Sequence, residues 1–223
     1  MHRSFCSLSC LAAVVVSAAG AQASLTVTEV MAQTTSGTPS TINGDWWELT
    51  NSGPLSVTLA GFQWADTEDQ LGGATPQPNF FPAVTIDPGQ SIIILEEPAA
   101  NEAAWRTNWN APDSLVILGT DEILPSPGAT DSFSGLGSGG DAVYFYDAAG
   151  GLISSYVYAA VTRGVSFEQD VFGGDLGLSV VGDYGAVLAV NGDVGSPGVA
   201  VPAPGVCCLL GLALLGGRRR VSR

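Results

Sequence analysis

Short stretches of β-type sequence, separated by turn residues, limit what this chain can fold into more than any other feature does. Residues 25–31 (LTVTEVM) alternate apolar and polar side chains, as a strand with one buried face does. Residues 91–95 (SIIIL) are β-branched and apolar without alternation, which is typical of a central strand. Further strands are predicted at 45–51, 57–59, 62–65, 83–86, 115–118, 142–146, 152–158 and 165–168. This spacing predicts an all-β domain, an antiparallel sandwich or barrel.

Two pairs of neighbouring strands and one helix refine this prediction. Residues 57–59 and 62–65 flank an Ala-Gly dipeptide and are expected to form a short pair. Residues 142–146 and 152–158 flank the turn sequence DAAGG and predict a hairpin. The helix is predicted at 98–109, where alanines accompany two spaced tryptophans.

Alternation along the second strand sorts its side chains onto two faces. Trp47 and Leu49 are predicted to face the core, which leaves Trp46 and Glu48 on the opposite face. Trp46 is therefore a candidate surface platform for a glycan or protein partner. The competing interpretation covers Trp46 with a loop or with the tryptophan-bearing helix. Glu48 would then need a cationic partner, and Arg163 is one of two arginines available.

The N-terminus has the layout of a secretory signal peptide. A positively charged start at 1–3 precedes an apolar stretch at 11–19, and Ala21 and Ala23 supply small residues at the cleavage positions. The apolar stretch is too short to span a bilayer comfortably. The sequence therefore predicts a cleaved leader over 1–23 and an exported chain.

The C-terminus combines a Pro-x-Pro motif, an apolar run over 206–215 and a basic end. The residues of this pattern are Pro202, Ala203, Pro204, Arg218, Arg219 and Arg220. Prolines interrupt helix upstream of the run, and clustered arginines hold such an end in the cytoplasm. Even with the two glycines that follow it, the run of about a dozen residues rises only ~18 Å as a helix against a ~30 Å apolar core, so bilayer thinning or residues 199–201 must make up the mismatch. The alternative is an apolar helix packed on the domain.

The region between these ends lacks the residues of most catalytic chemistry. Residues 24–206 contain no cysteine or histidine, and the chain contains no lysine. This composition excludes a disulfide framework, histidine triads, cysteine nucleophiles and ordinary zinc sites. All 21 acidic residues lie there with only Arg106 and Arg163, a balance that opposes binding to nucleic acid or anionic lipid.

Calcium is the one cofactor for which candidate ligands occur. Asp66, Glu68 and Asp69 offer closely spaced carboxylates in one loop, as do Asp170 and Asp175 in another. Neither loop has the EF-hand spacing, so the competing interpretation is two solvated acidic loops. Acid pairs could also serve a hydrolase, but the sequence shows no sign of the aromatic cleft that a glycosidase needs.

The order of the segments resembles the lamin tail domain, an immunoglobulin-like sandwich found in nuclear lamins and in many exported bacterial proteins. The matching pieces are residues 25–31, 45–51, 57–62, 81–90, 140–147 and 164–168, and the sequence GSPG at 195–198 is similar to the family's usual end. The resemblance implies a non-catalytic binding module. The tail resembles a PEP-CTERM sorting signal with Ala203 in place of the usual Glu, which implies an exosortase-type processing enzyme as a partner.

We therefore expect an immunoglobulin-like antiparallel β-sandwich with one short helix and a C-terminal apolar helix. The predicted parts are a leader (1–23), the sandwich (24–169), a Gly/Asp-rich extension and linker (170–200), and the sorting tail (201–223). The leading hypothesis is an exported, non-catalytic surface or matrix module, acting in adhesion, envelope architecture or exopolysaccharide association. Its expected partners are extracellular polysaccharide or surface proteins, and the membrane through the tail. The alternative is a calcium- or carbohydrate-binding module that uses the acidic loops and Trp46.

Overall fold

The computed structural model describes residues 24–35, 44–68, 79–125 and 135–202, so the cleavage residues Ala21 and Ala23 and the predicted C-terminal helix lie outside it. Within these ranges the strands β1 to β15 are, in chain order, Leu25–Met31, Trp46–Asn51, Val57–Thr58, Gln63–Ala65, Asn79–Phe80, Thr85–Ile86, Ser91–Leu95, Val116–Leu118, Leu124–Pro125, Asp141–Tyr146, Leu152–Tyr158, Phe167–Gln169, Asp175–Leu178, Val187–Leu188 and Val194–Gly195.

The helix lies where the alanines and tryptophans predict it. A 3₁₀ turn at Ala99–Asn101 leads into helix α1, Glu102–Trp109. Glu102 in the first turn and Arg106 in the last suit the helix dipole and pair with each other across one turn. Asn110 caps the C-terminus of the helix, and its left-handed backbone (φ 50°) reverses the chain. None of the helices in the described ranges has the length and apolar character needed to cross a membrane.

Two large sheets form the sandwich. The first has the order β13-β12-β1-β2-β7-β8, in which all neighbours are antiparallel except the parallel pair β7 and β8. The second is antiparallel, with the order β11-β10-β4-β5-β9. The predicted all-β sandwich with one short helix is confirmed, and so is the hairpin of β10 and β11.

The expected pairing of 57–59 with 62–65 is wrong. Strand β3 pairs with β6, while β4 pairs with β10 and β5. The two segments separate because Leu59 turns inward and is fully buried, and its N–H donates to the Val84 carbonyl (2.8 Å). Gly61, with φ at 78°, then lets the chain cross into the second sheet.

The core between the sheets is aromatic and aliphatic. Trp47 and Leu49 of β2 lie in it without exposure, as alternation predicts. The Trp47 ring lies 5.2 Å from that of Trp64 on the opposite sheet and meets Phe81 edge-on at 6.1 Å. These contacts join the sheets without a disulfide, through burial of large apolar area.

The outer face of the six-stranded sheet is covered as well. Helix α1 and the segment 186–201 lie over it, so that every residue of β1, β2 and β7 is buried. Residues 170–200 thus contribute strand β13 to the main sheet and the small ribbon of β14 and β15 to its cover. Both faces of the central strands are buried, which is why residues 91–95 show no alternation.

The two ends of the described body meet at one end of the sandwich. Val171 links them, since its carbonyl accepts a bond from Thr26 Oγ1 (2.9 Å) and its N–H donates to the Val201 carbonyl (3.0 Å). Residues 1–23 and 203–223 therefore both join the body at this end.

Candidate functional site

Trp46 is not a surface platform, which corrects that prediction. Its side chain has no exposed area, and its ring meets Trp105 and Trp109 of α1 edge-on at 5.7 and 5.5 Å. Its position agrees with the competing interpretation, in which the tryptophan-bearing helix covers Trp46. Burial follows because the apolar stripe of α1 packs against the outer face of β2.

The first acidic loop lies at the edge of a shallow pocket. Asp66 and Glu68 line it together with Asp141 and Tyr158, while Asp69 lies outside the described residues. Tyr146 Oη donates to the Glu68 carbonyl (3.0 Å), which ties the loop to β10. Across the described ranges, no three Asp, Glu, His or Cys side chains come together in a way that could hold a metal ion.

The second pair of acids shapes its own turns. Asp170 Oδ1 accepts bonds from the N–H groups of Phe172 (2.8 Å) and Gly174 (2.9 Å). Asp175 Oδ1 accepts from the Gly177 N–H (2.9 Å) and from Tyr156 Oη (3.0 Å). These bonds give both carboxylates a role in closing turns at the end of the sandwich.

A layer of buried carboxylates lies on the outer face of the six-stranded sheet, and the sequence patterns did not predict it. Glu29, Glu48 and Glu168 are 1 %, 0 % and 2 % exposed. A β-bulge between Val27 and Glu29 contributes, because both Val27 and Val30 remain in the core while Glu29 faces outward. The signal available in the sequence was the acidic residue in the middle of each of these strands.

Hydroxyl groups surround these carboxylates. Glu48 Oε1 accepts bonds from Thr28 Oγ1 (2.6 Å) and Thr50 Oγ1 (3.2 Å). Ser166 Oγ donates to Glu29 Oε1 (2.5 Å), and Ser179 Oγ donates to Glu168 Oε1 (2.7 Å). Buried acids need such donors, because an unsatisfied carboxylate in the interior costs several kcal/mol.

The GSPG sequence at 195–198 completes the layer. The Ser196 N–H donates to Glu29 Oε1 (2.8 Å), Ser196 Oγ donates to Glu168 Oε1 (3.1 Å), and the Gly198 N–H donates to Glu48 Oε2 (2.5 Å). A Cβ at Gly195 would lie 2.7 Å from Glu29 Oε1, so the chain approaches this closely only with glycine. The segment 195–198 thus joins all three carboxylates and closes them off from solvent.

Burial is the main cause of the altered acidity of this layer. It raises the pKa of Glu29 well above its ordinary value, with the Glu48 charge adding to the effect, and it raises the pKa of Glu48 and Glu168. The expected pairing of Glu48 with Arg163 is wrong, because Arg163 is exposed and Glu48 is bonded to hydroxyl and backbone donors. Enclosed in this way, the three carboxylates join the segment 195–198 to the six-stranded sheet.

A second group of acids with raised pKa values lies beside the N-terminal end of β2. Burial raises the pKa of Asp45 to about 6, with the Asp193 and Glu97 charges adding to it. Burial, followed by the Asp45 charge, raises the pKa of Glu96 well above its usual range. Asp45 still accepts a bond from the Thr34 N–H (3.3 Å).

Comparison with known proteins assigns the family. The family model described as Lamin Tail Domain matches residues 18–160, which is more than half of the chain. The search among curated proteins finds no match. This family of immunoglobulin-like sandwiches is in general non-enzymatic. The chain belongs to the lamin tail domain family.

Proposed function

We propose that this protein is an exported, non-catalytic surface or matrix module, in which the lamin tail domain is the displayed part and residues 203–223 sort or anchor it. The proposal combines the family's non-enzymatic character with the leader pattern at 1–23 and the tail pattern. It assigns the domain to adhesion, envelope architecture or association with exopolysaccharide.

The observation that carries the proposal is the position of the two ends of the folded body. Ser24 and Val201 both lie beside Val171, joined through Ser52 and the Val171 N–H. A tail attached there leaves the opposite end, with the loops at 33–35, 96–97 and 119–122, pointing away from the anchor. This geometry suits a module that presents its far end to a partner.

The charge of the body supports display in water over attachment to the lipid surface. Among the described residues Arg106 is paired with Glu102, so exposed Arg163 is the remaining cation against a surface rich in carboxylates. Such a surface is repelled by anionic headgroups and stays soluble. Attachment to a membrane would therefore depend on the tail.

Cell fractionation of the full chain and two deletions tests the proposal. The full chain is expected in the membrane or surface fraction, a form without 203–223 in the soluble exported fraction, and a form without 2–23 in the cytosol. Replacing Arg218, Arg219 and Arg220 with Gln tests the sorting signal with the apolar run intact. Finding the full chain only in the cytosol, or in the same fraction with and without 203–223, would refute the proposal.

A further inference from the structure

An apolar groove lies between the end of α1 and the segment that follows β13. Its volume is about 380 Å³, and its walls include Trp109 and Pro112 on one side and Val187, Leu188 and Val199 on the other. Leu188 is 62 % exposed and Val199 is 42 % exposed, so apolar groups on the wall face solvent.

Exposed apolar side chains are concentrated in the part of the chain that supplies one wall of the groove. Thirteen large apolar side chains of the described residues are exposed, and nine of them lie between Phe172 and Val199. Scattered apolar residues are normal on a protein surface, whereas a contiguous patch marks a docking site. Here four exposed residues, Val187, Leu188, Val190 and Val199, line the same groove, in the segment that directly precedes the tail.

The chain itself supplies an occupant of matching chemistry. The apolar run 206–215 begins only seven residues after Val199, which lines the groove. Counted from Val201, which is fixed by its bond to Val171, five residues span up to about 17 Å when extended, and the Pro-Ala-Pro-Gly sequence at 202–205 favours a change of direction. The run can therefore reach the groove in the same molecule at high effective concentration.

Charge complementarity favours the same occupant. The run is followed by a terminus that carries four arginines, at 218, 219, 220 and 223. Exposed Asp113 follows the groove wall at Pro112, and exposed Asp183 precedes the wall at Gly185. A basic end beside these acids adds a modest attraction at low salt.

We propose that the apolar groove between α1 and residues 185–199 is an intramolecular docking site for the chain's own apolar run, 206–215. Docking shields the run from water while the tail is outside a bilayer, and transfer to a membrane frees the groove. The inference goes beyond the proposed function and does not rest on it, because it requires only that the run is apolar and still attached.

Disulfide trapping tests the docking, because the tail holds the only two cysteines after residue 23, Cys207 and Cys208. Cysteine is introduced at Leu188 in chain 24–223, with Cys208→Ser to leave one native thiol. The matched control is Val157→Cys, since Val157 is similarly exposed (66 % against 62 %) but lies in the five-stranded sheet, whereas Leu188 lies in the ribbon of β14 and β15. Both proteins are oxidised at low concentration without detergent, and cross-linked peptides of the monomer are measured by mass spectrometry.

Docking predicts a monomeric cross-link between positions 188 and 207, in roughly tenfold higher yield than the cross-link between 157 and 207. Equal yields at the two positions would overturn the proposal. So would a cross-link at 188 found only in dimers, which would assign the groove to a second copy. Circular dichroism of both variants checks that the surface substitutions leave the fold intact, and fractionation of cells tests the sorting role separately.

Discussion

Replacing Gly195 with alanine tests whether close approach of the segment 195–198 holds the buried carboxylates. The new Cβ would lie 2.7 Å from Glu29 Oε1, 3.0 Å from Ser166 Oγ and 3.2 Å from the Trp109 ring. Gly195 is not among the residues with positive φ, so alanine introduces no backbone strain of that kind. Glu29 cannot move aside without breaking its bonds to Ser166 and Ser196.

Two contributions set the size of the effect. Overpacking of a filled interior costs about 1–3 kcal/mol, and weakening a hydrogen bond to a buried carboxylate costs a further 1–3 kcal/mol or so. We expect the free energy of unfolding to fall by about 3 kcal/mol. For a domain of this size, that corresponds to a decrease in Tm of about 6–12 °C.

Urea and thermal unfolding, followed by tryptophan fluorescence, measure this change. Gly139→Ala is the matched control, because Gly139 is exposed, lacks a positive φ, and a Cβ at this position would have no heavy atom of the surrounding structure within 4 Å. A double-mutant cycle with Glu29→Ala is expected to remove most of the cost at Gly195, since the closest of the three contacts, with Glu29 Oε1, is gone. If Gly195→Ala and Gly139→Ala unfold within about 0.5 kcal/mol of each other, the reasoning fails.

Three further predictions concern Asp45, Arg163 and Trp46. Burial raises the pKa of Asp45 from 3.8 to about 6. The protonated form therefore contributes stability that is fully present below pH 3.8 and is lost as the pH rises through 6. The contribution is up to about 3 kcal/mol. Asp45→Asn should remove that part of the pH dependence of the urea midpoint, and an unchanged pH profile would contradict the assignment. Arg163→Gln should change the unfolding free energy by less than about 0.5 kcal/mol, because Arg163 is exposed. A loss of several kcal/mol would instead indicate that Arg163 pairs with Glu48. Trp46→Ala should cost about 3–5 kcal/mol with loss of the near-ultraviolet dichroism from its contacts with α1, whereas unchanged stability would mean that Trp46 is not in the core.

The local elements of the fold follow from the sequence because each depends on neighbouring residues. Alternation at 25–31, the apolar run at 91–95 and the turn at 147–151 predict strands and a hairpin that the structure contains. Spacing also places Trp47 and Leu49 in the core, since a strand exposes successive side chains to opposite faces. The absence of cysteine and histidine between 24 and 206 likewise limits the chemistry without any knowledge of the fold.

Only the tertiary structure decided which faces are covered and which strands pair. Periodicity shows that Trp46 and Glu48 share a face, but the cover of that face comes from distant parts of the chain. The Ser196 N–H that reaches Glu29 is 167 residues away in sequence, and the Gly198 N–H that reaches Glu48 is 150 residues away. From sequence alone, an acidic residue in a strand is therefore expected to be solvated. Only the packed structure shows the hydroxyl and backbone donors that replace water around it.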